Sequence, residues 1–205
     1  MIQRSPEWFA ARLGKVTASK IADVMATLKK GGEAATRKNY RVQLAVERLT
    51  GCQEESFVSG AMQWGTEQEP FARQAYEFIT GAEVTEVGFI DHPHIPMSGA
   101  SPDGLVGTDG LIEIKCPNSA THVEYLMGGS VPSEYVKQIH WQMDCTGRQW
   151  CDFVSFDSRL PLELQLFQVR IHRDEALITD IRGAVIDLLQ EVEEMTAALR
   201  EKMAA

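Results

Sequence analysis

The chain has 205 residues, of which 44% are hydrophobic and 24% are charged, and its formal net charge at neutral pH is −9. This composition is typical of a globular domain that can bury a core, and it excludes a disordered chain and a fibrous protein. No apolar run approaches the roughly 20 residues of a membrane span, and the acidic balance argues against a protein that coats nucleic acid with a broadly basic surface.

Helices dominate the first part of the chain. Ser5 and Pro6 predict the start of a first helix, because a hydroxyl caps free N–H groups and proline fits the first turn, and Gly14 ends it. Further helices are predicted at about 17–25, 36–50 and 64–80. Because proline disrupts a helix interior, Pro70 indicates that the regular part of the last of these begins after residue 64. The side chains expected on its buried face are Phe71, Ala75, Phe78 and Ile79.

Strands replace helices from residue 83 onward. Four are predicted, at 83–90, 97–101, 104–106 and 111–115, and a Gly-Thr-Asp-Gly turn should join the last two into a hairpin. The elements that follow are a helix at 133–146, strands at 150–156 and 163–171, and an amphipathic helix at about 174–203. This order predicts an α/β fold of the α+β type, a mixed sheet with helices on its faces, in one domain over residues 1–205.

The predicted hairpin carries the residues best suited to chemistry. Asp103 ends one strand and Glu113 lies on the next, with Lys115 on the same face as Glu113 because strand side chains alternate. Carboxylates about 5 Å apart repel by about 3 kcal/mol at an effective dielectric near 20, and bound Mg²⁺ or Mn²⁺ removes that repulsion. The Ile114 carbonyl is an additional candidate ligand, and Lys115 is suited to polarising a metal-bound water. The pattern indicates a metal-dependent phosphodiesterase; the alternative is a hairpin with a surface acid and a surface Lys–Glu pair.

Side chains from two helices are candidates to join this hairpin. Glu69 is a candidate third carboxylate, the alternative being a solvated acid. Gln138 shares a helix face with Tyr135 and Gln142, and this stripe suits the positioning of phosphate or water, the alternative being simple exposure.

A second group near the N-terminus is suited to binding phosphate. Arg12 offers a guanidinium, and Thr17 and Ser19 offer hydroxyls close to a helix start, where anions bind well. The alternative is helix capping beside a surface arginine. Positive charge is otherwise concentrated in one candidate nucleic-acid track, the alternative being a solvated helix face; it contains Lys29, Lys30, Arg37, Lys38 and Arg41.

The cysteines and the N-terminal residues indicate the compartment. The four cysteines contain no Cys-x-x-Cys pair, and the N-terminal residues contain no apolar region typical of a secretory signal. We therefore expect reduced, mostly buried thiols in a cytoplasmic protein.

Several short blocks occur together in an order that resembles a known family. They are Trp-Phe-Ala-Ala-Arg-Leu-Gly at 8–14, Val-Thr-Ala-Ser at 16–19, Trp-Gly at 64–65 with Glu69, Ser-Pro-Asp-Gly-Leu at 101–105, Glu-Ile-Lys-Cys-Pro at 113–117, and Tyr135 with Gln138 and Met143. This set, over roughly residues 8–157, resembles the phage lambda exonuclease, or YqaJ-like viral recombinase, family of alkaline exonucleases. The hairpin alone would indicate only the wider restriction-endonuclease-like superfamily.

The resemblance implies a fold and an activity. The fold would be a restriction-endonuclease-like core, and the activity a Mg²⁺-dependent, processive digestion of one strand of double-stranded DNA from its 5′ end to mononucleotides. It implies that the metal is bound by Asp103 and Glu113, with contributions from Glu69 and the Ile114 carbonyl. It also implies that Lys115 orients the attacking water, with Gln138 beside it.

The resemblance further implies how the DNA end is held and which partners take part. The 5′-terminal phosphate would be bound by Arg12, Ser19 and Ser101, with Thr17 in support. Family members form a ring-shaped homotrimer around DNA and work with a single-strand annealing protein in a bacterial or phage-infected cell. One departure is the second acid, Glu67, which could compete for the role given to Glu69. The alternatives are a site-specific endonuclease of the same superfamily and a non-catalytic DNA-end clamp.

Overall fold

The computed structural model describes residues 2–53 and 59–204 of the chain. The α-helices in these ranges are α1 (Pro6–Arg12), α2 (Ile21–Val24), α3 (Ala35–Thr50), α4 (Gly60–Thr80), α5 (Ser119–Gly128), α6 (Ser133–Thr146) and α7 (Glu175–Ala204). The strands are β1 (Val16–Thr17), β2 (Val84–Thr85), β3 (Ile90–Asp91), β4 (Ser98–Ala100), β5 (Gly104–Val106), β6 (Gly110–Lys115), β7 (Trp150–Phe156) and β8 (Leu166–His172). Short 3₁₀ helices cover Ala18–Lys20 and Leu162–Leu164.

Within the described residues the strands form two sheets. The larger has the order β2-β5-β6-β7-β8, with β6 and β7 parallel and the other neighbours antiparallel. The smaller has the order β1-β4-β3, with β1 parallel and β3 antiparallel to β4. The predicted α/β architecture, a mixed sheet flanked by helices, is confirmed.

The central strand β6 is covered by helices on both faces. Ile112 and Ile114 belong to a buried cluster that includes Tyr76 of α4, whereas Leu111 belongs to a cluster that includes Ile139 of α6. Each fully buried aliphatic side chain contributes about 1.5–3 kcal/mol to folding. Because side chains alternate along a strand, Glu113 lies on the α6 face, and α6 must supply partners for its charge.

The C-terminal helix is amphipathic, as predicted, and completes a further part of the core. Ile181, Val185 and Leu188 of α7 are fully buried and share a cluster with Leu44 and Ala45 of α3. None of the helices in the described ranges combines the length and the apolar character needed to cross a bilayer.

Helix α4 begins earlier than predicted and contains the proline in its interior. It starts at Gly60, where the hydroxyl of Ser59 accepts a hydrogen bond from the Met62 N–H at 3.2 Å. Proline has no N–H to donate to the backbone carbonyl one turn earlier in the helix. Because Pro70 is exposed, water can hydrogen-bond to that carbonyl instead. The inference that Pro70 delays the start of the helix was therefore wrong.

The buried face of α4 also differs from the prediction. Three of the side chains expected in the core, Phe71, Phe78 and Ile79, are 57%, 91% and 61% exposed. Ala72 and Tyr76 are buried instead. The Tyr76 hydroxyl donates a 2.7 Å hydrogen bond to the buried carboxylate of Asp152, a partner on β7 that periodicity within the helix cannot reveal.

Three further elements differ from the sequence-based expectation. The single strand expected at 83–90 is divided into β2 and β3, which belong to different sheets. The strand expected at 163–171 begins only at Leu166, after a 3₁₀ turn. Helix α5 was not predicted, although Asn118 caps its start and Gly129 ends it in a left-handed conformation.

Candidate active site

The β5–β6 hairpin places two acidic residues opposite one another. Gly104 pairs with Ile112, so Asp103 lies across from Glu113, as predicted. The Asp103 Oδ2 atom accepts a 2.7 Å hydrogen bond from the Ile114 N–H. Ile114 lies on β6 at a position past the paired residues of β5, so no backbone carbonyl of β5 pairs with this N–H. The N–H and C=O of a strand residue point to the same edge, so the Ile114 carbonyl is also directed toward the Asp103 side.

Glu113 is 1% exposed and accepts hydrogen bonds from three side chains. Its Oε1 atom accepts hydrogen bonds from Lys115 Nζ at 2.5 Å and from Gln138 Nε2 at 2.6 Å. Its Oε2 atom accepts a hydrogen bond from Gln142 Nε2 at 2.6 Å. These donors satisfy a carboxylate that would otherwise be very costly to bury.

The charges of the hairpin are strongly coupled. Burial, together with repulsion from Glu113 and Glu69, raises the pKa of Asp103 well above its ordinary value. Burial opposes the charged form of Lys115, but the attraction of Glu113 and Asp103 outweighs it and raises the pKa of the ammonium. The same ammonium lies 4.8 Å from the centre of the Tyr135 ring. The crowded acidic pair and the nearby Ile114 carbonyl offer oxygen ligands, which fit a hard divalent cation such as Mg²⁺ or Mn²⁺.

A cavity of about 480 Å³ opens beside these residues. Asp103, Ile114 and Lys115 line it together with Glu69 and Tyr135. This volume is within the range of small-molecule sites in proteins. The cavity is therefore large enough to admit a reacting group to the hairpin.

Glu69 lies on the cavity wall but is bound by two arginines. Its carboxylate accepts hydrogen bonds from Arg4 at 2.9 Å and from Arg73 at 3.2 Å. In residues 2–53 and 59–204, no three or more His, Cys, Asp or Glu side chains are grouped closely enough to hold a metal ion. The geometry therefore gathers Asp103 and Glu113, but it does not bring Glu69 into one ligand set with them.

The predicted phosphate-binding group is partly assembled around Ser101. The Ser101 hydroxyl accepts hydrogen bonds from Trp8 Nε1 at 2.9 Å and from Arg12 Nη1 at 3.2 Å. The guanidinium of Arg12 lies 4.1 Å from the centre of the Trp8 ring, and burial lowers its pKa. Ser101 precedes Asp103 by only two residues, so this group is adjacent to the hairpin site.

Thr17 and Ser19 reach the same region through the smaller sheet. Their hydroxyls are 3.4 Å apart, and Thr17 lies opposite Gly99 in the β1–β4 pair. Gly99 is two residues before Ser101, so β1 and β4 carry the predicted hydroxyls toward one end of the sheet. Ser19 is exposed and Thr17 is buried, which makes Ser19 the more accessible of the two.

Part of the predicted nucleic-acid track is neutralised within the protein. Arg37 and Arg41 each form ion pairs with Glu33 and Glu191, at distances of 2.5–3.0 Å. Glu191 belongs to α7, so this pairing depends on helix packing that the local sequence does not show. These two arginines are therefore engaged by carboxylates rather than free for DNA phosphates.

The four cysteines are free thiols, and only Cys145 and Cys151 are buried. Cys116 follows β6 and lines the cavity. Burial and the nearby carboxylates of Glu69 and Asp103 raise its pKa to about 12, so it stays protonated and unreactive at neutral pH.

Some contacts in the site were not foreseen. Gln142 was considered for phosphate positioning or simple exposure, but it is fully buried and binds Glu113. Its spacing of four residues from Gln138, which places both on one helix face, is the signal that indicates this shared role. Arg4 had no recognisable signal, because its contact with Glu69 spans 65 positions of the chain.

Comparison with known proteins identifies the relatives of this chain. Residues 7–149 match the YqaJ-like viral recombinase domain family. The crystal structure of LHK-Exo, an alkaline exonuclease from Laribacter hongkongensis, is 56% identical, covers 98% of both chains and superposes with a TM-score of 0.91. A second structure of LHK-Exo, in complex with dAMP, is also 56% identical over 98% of both chains, with a TM-score of 0.92.

A more distant structure shares the fold. A phage-related exonuclease from Haemophilus somnus 129PT is 17% identical and covers 90% of this chain and 96% of its own, with a TM-score of 0.72. None of the curated proteins matches this chain significantly. The family match extends over more than half of the chain, and the LHK-Exo match extends over nearly all of it. The chain therefore belongs to the YqaJ-like viral recombinase family, related to phage lambda exonuclease, and is an enzyme of the nuclease class.

Proposed function

We propose that this nuclease is a Mg²⁺-dependent exonuclease that digests one strand of double-stranded DNA processively from the 5′ end, releases mononucleotides and leaves a 3′ single strand. The observation that supports this most directly is the hairpin that gathers Asp103, Glu113 and Lys115 next to a cavity of about 480 Å³. The family relation to alkaline exonucleases supports the same reaction class.

Each residue of the hairpin has a distinct part in the proposed reaction. Asp103, Glu113 and the Ile114 carbonyl would hold Mg²⁺, with Mn²⁺ as an alternative. When bound, the ion supplies Lewis-acid activation of the phosphate and of the attacking water. Lys115 donates to the attacking water and stabilises negative charge on the phosphoryl oxygens, and its raised pKa keeps it protonated for this task. Gln138 lies beside Lys115 on the same Glu113 oxygen and helps to orient the water.

Glu69 has a supporting part in this proposal. Its carboxylate faces the cavity, but Arg4 and Arg73 hold it. It can contribute to cation binding only when at least one of these ion pairs opens. Glu67, the competing acid on the same helix, is exposed and accepts a hydrogen bond from Gln63, which favours Glu69 for this role.

Selection of the 5′ end is assigned to the group around Ser101. Arg12 and the hydroxyls of Ser101 and Ser19 bind the terminal phosphate, with Thr17 in support. The contact of Arg12 with Ser101, two residues before Asp103, supports a short distance between the bound end and the site of cleavage. The complex of LHK-Exo with dAMP supports a mononucleotide product for this family.

Processivity is assigned to a ring-shaped homotrimer that encloses double-stranded DNA. The chain has a net charge of −9, and Arg37 and Arg41 are paired with carboxylates. A protein with this net charge gains little DNA affinity from electrostatic attraction over a broad surface, so enclosing the duplex is the better way to retain it. The remaining 3′ strand would pass to a single-strand annealing protein in the cytoplasm.

The test is digestion of linear duplex DNA labelled separately at the 5′ and 3′ ends, with Mg²⁺ or with EDTA. We expect early release of the 5′ label as a mononucleotide, retention of the 3′ label, and no reaction in EDTA. Early release of the 3′ label would reverse the proposed polarity. Nicking of closed circular DNA would favour the site-specific endonuclease, and binding of ends without any hydrolysis would favour the DNA-end clamp.

A further inference from the structure

Gln142 is a fully buried amide that contacts the proposed metal-binding hairpin. It lies on α6 and is 0% exposed. Its Nε2 atom donates to Glu113 Oε2 at 2.6 Å, whereas its Oε1 atom finds no hydrogen-bond partner within the described part of the chain. The amide is therefore satisfied on only one side, the side that faces Glu113.

This arrangement is unfavourable for a residue that serves packing alone. A buried acceptor without a partner costs about as much as a lost hydrogen bond, and methionine would fill a similar volume without that cost. Ile139 and Met143, close to Gln142 along α6, are fully buried apolar residues, so this part of the helix packs against the apolar core. The amide at position 142 is thus explained by its contact with Glu113.

The hydrogen bonds to Glu113 are divided unequally between its oxygens. Oε1 accepts from both Lys115 and Gln138, which occupies its two lone pairs. Oε2 accepts from Gln142 alone, which leaves one lone pair. Because Gln142 is neutral, it fixes the orientation of the carboxylate without compensating the negative charge that a cation requires.

We propose that Gln142 is a positioning residue that orients Glu113 so that one Oε2 lone pair is presented to the divalent cation. The inference rests on the proposed function, since it assumes that Glu113 is a metal ligand. Gln142 acts through Glu113 and does not itself touch DNA. It is the partner behind the ligand, a type of residue whose loss typically weakens metal binding or activity by about 10–100-fold.

The experiment measures Mn²⁺ binding directly by calorimetry, without DNA, for the wild type, Gln142→Met and Gln142→Asn. Methionine removes the donor but preserves the volume, whereas asparagine keeps the amide but shortens its reach. Gln168→Met is the matched control, because the Gln168 amide also donates to a carboxylate, Asp152 at 2.9 Å, that lies outside the cavity. Circular dichroism and melting temperature establish that each variant is folded.

We expect Mn²⁺ affinity to fall by at least about tenfold in both Gln142 variants and to stay unchanged in the Gln168 control. In nuclease assays, the Mg²⁺ concentration for half-maximal rate should rise by a similar factor, while the rate at saturating Mg²⁺ changes much less. Wild-type affinity in folded Gln142→Met would overturn the positioning role and leave the proposed function intact. Absence of Mn²⁺ binding to the wild type would instead refute the metal-dependent function, and the inference with it.

Discussion

Replacement of Asp103 by asparagine is expected to stabilise the metal-free protein while abolishing hydrolysis. Burial and the charges of Glu113 and Glu69 raise the pKa of Asp103, so the ionised carboxylate is costly in the folded state. Asparagine has the same shape without the charge, and its oxygen can still accept the 2.7 Å hydrogen bond from the Ile114 N–H. The variant lacks the anionic oxygen proposed to bind Mg²⁺, so activity should be lost.

The size of the stabilisation follows from the pairing of the strands. Asp103 and Glu113 face each other across an antiparallel pair, where opposite residues are about 5 Å apart. At an effective dielectric of about 20, two unit charges at that distance repel by about 3 kcal/mol. Lys115 offsets part of this repulsion, so we expect Asp103→Asn to raise the free energy of unfolding by about 1–2 kcal/mol. For a domain of this size, that gain corresponds to a rise of about 2–8 °C in melting temperature.

The assay is thermal unfolding in EDTA at pH 6 and at pH 9. The pKa of Asp103 is higher in the folded than in the unfolded protein, so the wild type loses stability as the pH rises through the folded pKa. The difference in melting temperature between Asp103→Asn and the wild type should therefore be larger at pH 9 than at pH 6. Asp91→Asn is the control, because that carboxylate is 68% exposed in its ion pair with Lys15. Its replacement should change the free energy of unfolding by less than about 1 kcal/mol. A melting temperature below that of the wild type at pH 9 would refute the crowding of the two carboxylates.

Three further predictions concern catalysis, end selection and acid stability. Lys115→Ala should abolish hydrolysis but retain binding of linear duplex DNA in a gel-shift assay, and continued digestion in Mg²⁺ would show that Lys115 has no catalytic role. Arg12→Ala should erase the preference for 5′-phosphorylated over 5′-hydroxyl ends in a comparison of initial rates, and a preference equal to that of the wild type would remove Arg12 from this role. Burial opposes ionisation of Asp157, but hydrogen bonds led by those from Arg159 lower its pKa to about 2. The ionised carboxylate should therefore stabilise the fold above about pH 4, and this contribution should be lost as the pH falls toward 2. Asp157→Asn should weaken this acid transition as followed by circular dichroism; an unchanged transition would contradict the assignment.

The hairpin shows how much a local pattern can determine. A turn rich in glycine between two short apolar segments predicts antiparallel pairing, and pairing fixes which residues face each other. The opposition of Asp103 and Glu113 therefore follows from about a dozen consecutive residues. The C-terminal amphipathic helix follows in the same way from its own periodicity. Both features depend on neighbours in the sequence, where hydrophobic spacing is informative.

Helix α4 shows where such reasoning ends. Its periodicity indicated Phe71 and Phe78 as core residues, but the sheet accommodates Ala72 and Tyr76 instead. An amphipathic pattern shows that two faces differ, and here the buried face is the one that carries Tyr76, whose hydroxyl bonds Asp152 on β7. His92 lies in a loop and is buried with its Nε2 atom 2.9 Å from Asp144 Oδ2, a contact across 52 positions of the chain that local patterns likewise do not reveal.

The amino-acid sequence by itself determined the α/β class, the β5–β6 hairpin and the family, because these depend on local periodicity, strand alternation and short ordered motifs. The tertiary structure alone decided that Glu113 is buried with Gln142 behind it, that Arg4 holds Glu69, and that α7 neutralises Arg37. These contacts join residues 29 to 154 positions apart, far outside any local window. Their energies depend on desolvation and distance, which are set only when separate elements pack together.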